Sequence, residues 1–337
     1  MSEEKDEAKT RWAKKLRSDP LPALLSANGE ALRYFCQRDL LSKDAGPVER
    51  LWSLREARKI TDRQQASGCW RYHGGRPQIR SQQDYDQLET FRALRILVEK
   101  YGMNLEDPAI PRAAEFLFSR QTEEGDFRGI CGNQYVPYYS AAFMELLIKA
   151  GFSDDPRIAK GFRWLLSMRQ LDGGWAFPLR TAGKNLNPET FRAPTIHPEK
   201  TQPFSHLVTG VVLRAFAAHP EYRRAGEARL AGRLLKSRFF EADRYPDRRS
   251  PSFWTSFSYP FWFTDLLSAL DSLSQLGFEG EDPDIRKGLE WFASRQRRDG
   301  GWRLTLRLIE GEKERELWIT LAISKVFKRF ADRGRAR

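Results

Sequence analysis

The sequence predicts an all-α protein of about six stacked helical hairpins. Three observations predict it: a block that recurs with the same start and stop signals, apolar helix-period segments between the blocks, and no strand-period alternation of comparable strength. The 337 residues are 40% apolar, with 22 Phe, 10 Trp and 10 Tyr, enough to bury a sizeable core. Charged residues make up 30%, which fits a solvated surface and not a disordered tail. No run of about 18 apolar residues occurs, which argues against a transmembrane helix. The start, Met1-Ser2-Glu3-Glu4-Lys5, lacks an apolar signal region, so a cytoplasmic location is expected. The 3 Cys, without a CxxC, argue against a disulfide framework.

Taken in order, residues 1–20 are expected as an N-terminal helical extension, 21–331 as the hairpin domain and 332–337 as a basic tail. Leu21–Leu41 and Val48–Arg63 read as the first helical pair, closed by a partial block, Gln64-Gln65-Ala66-Ser67-Gly68-Cys69-Trp70. The full block opens on Asp107-Pro108, Asp155-Pro156 and Asp282-Pro283 and reaches Gln121, Gln170 and Gln296 after 14, 15 and 14 residues. Each Gln leads into Gly plus an aromatic residue: Gly125 and Phe127, Gly174 and Trp175, Gly301 and Trp302. An eroded copy runs through Leu234 to Tyr245, with Arg238 in place of the Gln. Asp is an N-cap that accepts an orphan amide, and Pro suits the first helical position, where its missing N–H costs nothing. Apolar positions follow at helical spacing, as in Ile158, Phe162, Leu165 and Leu166, and Gly is expected to stop the helix in the left-handed region. Between the blocks lie apolar helices over Gln87–Tyr101, Pro137–Ala150, Ser205–Ala218, Phe261–Leu276 and Glu316–Phe330. Thr90, Ser140, Thr209, Thr264 and Thr320 stand near their first turns.

Lys160–Trp175 and Lys287–Trp302, and more weakly Arg112–Phe127, resemble the QW repeat of squalene–hopene cyclases, which recurs in protein prenyltransferase β subunits. The resemblance covers roughly residues 21–331 and implies an α/α toroid with inner and outer helix rings. It also implies that the Gln and Trp are structural, the Gln closing a helix end and the Trp stacking beside it. Class II members of that family protonate an alkene with an Asp in D-x-D-D-T-A. Here the matching stretch is Asp86-Gln87-Leu88-Glu89-Thr90-Phe91, with Leu88 where the family has its proton donor. Asp86 is then the candidate acid, Glu89 its partner and Asp84 a substitute; alternatively, Asp84 and Asp86 cap the helix. Prenyltransferases of this superfamily use zinc. Cys69 and His73 are the only close Cys/His pair and a third ligand is not evident. No D-D-x-x-D motif stands for magnesium, so neither Zn2+ nor Mg2+ is expected as a cofactor. Cys131-Gly132-Asn133-Gln134 resembles the Cys-Gly-Glu-Gln of thioester domains, with Asn133 replacing Glu.

The net charge of +12 permits an anionic partner: a diphosphate, a membrane surface touched peripherally, or nucleic acid. The loops 68–83, 125–135, 175–203, 241–259 and 299–313 hold 14 Lys and Arg against 9 Asp and Glu; the opposite connections hold 4 Arg against 9 acids, part of which is helix capping. Arg71, Arg76 and Arg80, with no acid nearby, are the candidate head-group contacts. Tyr138, Tyr139, His206, Phe257, Tyr259 and Trp262 are candidate walls for an apolar chamber, or ordinary packing between helices. Residues 176–203, with 5 Pro between Pro178 and Pro203, read as a lid or a disordered insertion. The reading that combines these features is a protein that binds or transforms an isoprenoid-type lipid with an anionic end. The alternative is a non-catalytic module for a protein or other anionic partner. Nucleic acid is not expected, since the basic residues form no stripe and no nucleic-acid-binding fold is recognised.

Overall fold

The computed structural model describes residues 12–302, 304–306 and 312–333. Most of the expected N-terminal extension (1–11), most of the basic tail (334–337) and part of the loop 299–313 lie outside the described residues. In chain order the helices are α1 (Leu21–Leu25), α2 (Glu30–Phe35), α3 (Arg55–Thr61), α4 (Gln82–Tyr101), α5 (Ala109–Phe118), α6 (Pro137–Leu147), α7 (Pro156–Ser167), α8 (Pro178–Thr181), α9 (Pro188–Arg192), α10 (His206–Ala218), α11 (Gly226–Lys236), α12 (Leu266–Gln275), α13 (Pro283–Ser294) and α14 (Glu312–Arg333). α2 and α6 run on into π-type turns at Cys36–Leu40 and Ile148–Phe152. Two two-residue strands, β1 (Ser256–Phe257) and β2 (Thr305–Leu306), pair in parallel. The all-α class expected from the repeats is what the structure shows.

The chain groups into two compact units. The first takes the chain up to Pro47, Leu235–Ala242 and everything from Arg248 onward; the second takes Val48–Leu234 and Asp243–Asp247.

In the second unit the start signals act as expected. Asp155 Oδ1 accepts the Arg157 amide at 2.8 Å with Pro156 in the first turn of α7, and Asp107 Oδ1 accepts the Ala109 amide at 2.9 Å before α5. The Asp155 cap is worth about 1 kcal/mol, whereas α5 has Pro108 at its N-cap position and Asp107 one residue before it. The repeat glutamines link one helix to the next. Gln121 Nε2 donates to Gly125 O (2.9 Å), closing its own turn, and to Arg157 O (2.9 Å) in α7. Gln64 does the same with Gly68 O (2.9 Å) and Ala109 O (2.8 Å) in α5. Gln170 reaches Glu199 O (2.8 Å) and Gln202 O (2.7 Å), because the long segment 176–203 stands where a helix start would be. The aromatic residue that follows is pinned twice. Trp70 and Trp175 donate their indole N–H to Ile60 O and Leu165 O, both at 2.6 Å. The backbone amides of Trp70, Phe127 and Trp175 donate to Thr90 Oγ1 (3.0 Å), Ser140 Oγ (3.1 Å) and Thr209 Oγ1 (2.9 Å). The hydroxyls on α4, α6 and α10 are therefore receivers for the preceding turn; α4 starts at Gln82 and not at Gln87, so Thr90 stands in its third turn, while Ser140 and Thr209 stand near helix starts.

The block glycine differs from expectation. It does not end the helix: Gly125, at φ 111°, sits in the turn that Gln121 closes, while Ser119 is the C-cap of α5. A Cβ on Gly125 would lie 2.7 Å from Lys160 O, so the missing side chain lets α7 approach the turn. The core between α6, α7 and α10 is aromatic, with Phe162 and Phe216 at 4.9 Å and Phe127 and Phe143 at 5.6 Å between centroids. The segment 176–203 carries α8 and α9 and is pinned. Gln134 Nε2 donates to Thr190 O, Ala193 O and Pro194 O (2.7, 3.1 and 3.2 Å), and its Oε1 accepts the Ile196 amide (3.0 Å).

In the first unit Asp282 caps α13 through the Asp284 amide (3.1 Å), and Trp302 donates to Phe292 O at 2.9 Å. Gln296 Nε2 donates to Gly300 O (3.0 Å) and Ser18 O (2.8 Å), while its Oε1 accepts the Arg17 and Ser18 amides (2.8 and 3.1 Å). The segment before α1 is thereby stitched to the turn after α13. Helix α12 starts at Leu266 and not near Phe261, because residues 251–255 form a 3-10 turn, β1 follows, and Pro260 interrupts the run; Asp265 is the cap, with Ser268 completing a capping box.

Candidate functional site

The α4 helix positions the site. Its cap is Ser81, whose hydroxyl accepts the Asp84 amide at 3.1 Å, so neither Asp84 nor Asp86 caps it. Asp84 lies within the first turn, where its Oδ1 accepts from Arg120 Nη2 at 2.7 Å. Asp86 is buried, and its Oδ1 accepts the Tyr72 amide (2.9 Å) and Gln82 Nε2 (2.7 Å). With Trp70 pinned to α3 and α4, Asp86 thus braces the turn 70–73 against the helix.

That turn, the end of α3 and one face of α4 border a solvent-open cavity of about 540 Å3 lined by Ile60, Arg63, Gln65, Trp70, Arg71, His73, Glu89, Arg92, Ala93 and Ile96, of which Arg63, Gln65, Arg71 and His73 are exposed. Its volume is in the range of small-molecule sites. Glu89, Arg92, Ala93 and Ile96 fall at helical i, i+3, i+4 and i+7, one stripe of α4. Glu89 Oε2 lies 3.0 Å from Arg92 Nη1, both side chains partly exposed. The Arg92 guanidinium also stands 5.6 Å from the Tyr72 ring, itself stacked on Tyr85 at 5.3 Å. Arg63 and Arg71 have no carboxylate partner among the described residues.

Of the sequence candidates, the cavity gathers Arg71 and Glu89. Arg76 is exposed to solvent. Arg80 turns away: its Nε donates to Ile130 O at 2.5 Å and its guanidinium lies 5.2 Å from the Phe191 ring. Tyr138 and Tyr139, in the first turn of α6, contact each other at 4.6 Å; Tyr138 meets Phe177 (5.7 Å) and Tyr139 meets Phe143 (6.2 Å). His206 is the first residue of α10, buried beside Phe204 at 5.7 Å. In the first unit, Phe257 is fully buried against Phe292 (5.4 Å), Tyr259 stacks on Trp318 (5.7 Å) and Trp262 lies 6.0 Å from Phe263. Arg63, Trp70, His73 and Arg92 were not among the candidate contacts. Glu89 and Arg92, charged residues at i and i+3 on one face of α4, are the signal that points to Arg92.

No three His, Cys, Asp or Glu side chains converge as metal ligands among the described residues. His219, one of the scattered His, accepts the Glu221 amide at Nδ1 (3.1 Å) and donates from Nε2 to Ser153 O (3.1 Å). The Cys131 thiol is buried and pushed up to about 12 by that burial, outweighing the nearby Arg80. Gln134 is bonded at both amide atoms to the 176–203 segment, so the residues resembling a thioester motif anchor a loop.

A second polar group joins α4, α6 and α10. Arg214 Nε lies 2.8 Å from Glu145 Oε2, both side chains buried, and Lys149 Nζ lies 2.7 Å from Glu145 Oε1 and 2.6 Å from Glu99 Oε1. Burial alone pushes the Glu145 carboxyl up, but Arg214 and Lys149 outweigh it and hold it below the usual range. Burial and then neighbouring Arg214 bring the Arg95 guanidinium down to about 9.

Residues 85–188 match the family model described as the squalene-hopene cyclase C-terminal domain. A probable squalene–hopene cyclase of Sinorhizobium fredii is 30% identical over 148 residues, 43% of this chain and 21% of that protein. The squalene–hopene cyclase of Bradyrhizobium diazoefficiens is 29% identical over 150 residues, 44% of this chain and 21% of its own. The chain thus spans about a fifth of the length of the curated relatives it matches. The type II terpene cyclase MstE from Scytonema, solved in complex with geranylgeranyl dihydroxybenzoate, aligns over 97% of this chain and 99% of its own, at 12% identity and a TM-score of 0.47. The terpenoid-cyclase resemblance read from the repeats therefore holds in sequence from α4 through α8. No helix among the described residues is long and apolar enough to cross a membrane.

Proposed function

We propose that this terpenoid-cyclase-like chain binds, or transforms, an isoprenoid-type lipid with an anionic end. One observation carries the reading: the segment matching the squalene-hopene cyclase domain, 85–188, begins on α4 and includes the stripe Glu89, Arg92, Ala93 and Ile96 that walls the cavity. Within the proposal Arg71 contacts the head group, Arg76 and Arg80 belong to the same basic loop, and Tyr138, Tyr139 and His206 offer ring faces on α6 and α10. Purified protein incubated with prenyl diphosphates and with squalene, then extracted for mass spectrometry, should retain or convert one of them. Protein that returns neither bound lipid nor product counts against the reading.

A non-catalytic binding module is the second reading, and the position of Asp86 favours it. One of its oxygens receives two N–H donors, from the turn and from Gln82, which is the work of a brace. Asp86→Asn keeps a carbonyl oxygen for those donors but removes any acid. If Asp86 is the acid, turnover falls by at least about a hundredfold while lipid retention persists; if it is a brace, neither changes.

A further inference from the structure

We infer that the cavity between α3, the turn 70–73 and α4 is a receptor for a phosphorylated head group, and that Glu89 is the built-in anion which this head group displaces from Arg92. The inference rests on the lipid reading for the tail of the ligand alone; the anion site stands on the residues themselves.

Three guanidinium groups, those of Arg63, Arg71 and Arg92, line the cavity against a single carboxylate, Glu89. With His73 neutral the lining carries a formal charge of +2, and among the described residues neither Arg63 nor Arg71 has a carboxylate to answer it. Arg guanidinium forks suit phosphate oxygens, which accept two parallel N–H bonds. The positions are held by the fold: Trp70 by Thr90 and Ile60, and Tyr72, over which Arg92 lies, by the Asp86 brace. Ile60, Trp70, Ala93 and Ile96 give the same cavity an apolar side, large enough at about 540 Å3 for more than a phosphate group.

Glu89 decides which anion enters. It is a carboxylate already attached 3.0 Å from Arg92, so a second monocarboxylate gains little by replacing it. A phosphate monoester or diphosphate carries more charge than Glu89 and engages Arg63 and Arg71 as well, so it can displace the carboxylate. The site therefore selects dianionic head groups over carboxylates. This gives Glu89 a task different from that of a partner to a catalytic acid.

Isothermal titration with inorganic diphosphate, geranylgeranyl diphosphate and a prenyl carboxylate of equal chain length tests the inference, on the full chain and on E89Q and the double variant R63Q/R71Q. The unaltered chain should bind both diphosphates and reject the carboxylate. The R63Q/R71Q chain should bind diphosphate at least about tenfold more weakly, with a shallower salt dependence. E89Q should bind diphosphate about three- to tenfold more tightly and admit the carboxylate. Thermal unfolding midpoints matching the unaltered chain show that both variants fold. No diphosphate binding, R63Q/R71Q without effect, or E89Q leaving the preference unchanged overturns the inference. Inorganic diphosphate binding as tightly as the prenyl form leaves the anion site standing and removes the lipid reading; retained squalene with no diphosphate binding does the reverse.

Discussion

Replacing Arg214 by Met should destabilise the second unit by about 3 kcal/mol at neutral pH. Arg214 is 3% exposed and Glu145 4%, and the substitution takes the guanidinium from 2.8 Å beside Glu145 Oε2 without letting water in. Stranding one partner of a buried pair costs about 3–5 kcal/mol. Two features place Arg214→Met at the lower end: Lys149 Nζ stays 2.7 Å from the other Glu145 oxygen, and Arg95 is relieved of a like charge. The pH dependence has a definite sign. The Glu145 carboxyl is held below its usual range in the folded chain, so its contribution is full above the unfolded value of about 4.3 and is lost as pH falls through the lower folded value. Without Arg214 the folded value rises, the carboxyl protonates earlier, and the stranded charge disappears. Urea unfolding at about pH 7 and about pH 4 should therefore show a deficit that narrows on acidification. A double variant, R214M/E145M, should recover most of the loss, since Lys149 keeps Glu99 at 2.6 Å. A neutral-pH deficit under about 1 kcal/mol, or one that does not change with pH, refutes this account.

Three further outcomes are expected. Gln121→Ala removes the hydrogen bonds that the side-chain amide donates to Gly125 O and Arg157 O and should cost about 1–2 kcal/mol, read as a lowered urea midpoint. Cys131, buried and with its thiol pushed up to about 12, should resist iodoacetamide in the native protein and react only in denaturant, and intact mass should show no loss of ammonia of the kind that an internal thioester with Gln134 brings. Gly132→Ala places a Cβ 2.3 Å from Phe191 O at a φ of 59°, so α9 should detach and limited proteolysis should cut near Lys184 and Arg192 at a rate well above that of the parent chain.

The helices were legible because their signals are local. Asp155 with Pro156 starts α7 whatever packs against it, and the 14- to 15-residue spacing to Gln announces each repeat. The turn hydroxyls Thr90, Ser140 and Thr209 were visible as a pattern, but their partners, the amides of Trp70, Phe127 and Trp175, lie 20, 13 and 34 residues away and emerge only in the fold. The same distance problem hid the site. Arg71, Arg76 and Arg80 look like one cluster in the chain, yet the turn aims Arg71 at the cavity and Arg80 at Ile130. Arg63 and Arg92 stand far from each other in sequence and meet only because Trp70 ties α3 to α4. The ion pairs among Glu99, Glu145, Lys149 and Arg214 were equally hidden, since each reads alone as an ordinary surface charge.

The first unit draws on two stretches far apart in the sequence, one up to Pro47 and one from Arg248 onward, which sets an order on its birth. A ribosome delivers the whole second unit by Asp247, while the strip up to Pro47 still lacks α12, α13 and α14. At usual elongation speeds the intervening stretch of about 200 residues takes on the order of 10–40 s to make. Throughout that interval Leu24, Leu32, Phe35 and Leu40, all buried in the finished protein, lack the cover that α14 gives to their elements. The contacts that α14 makes with α1, α2 and the turn Cys36–Leu40 can form only after that interval.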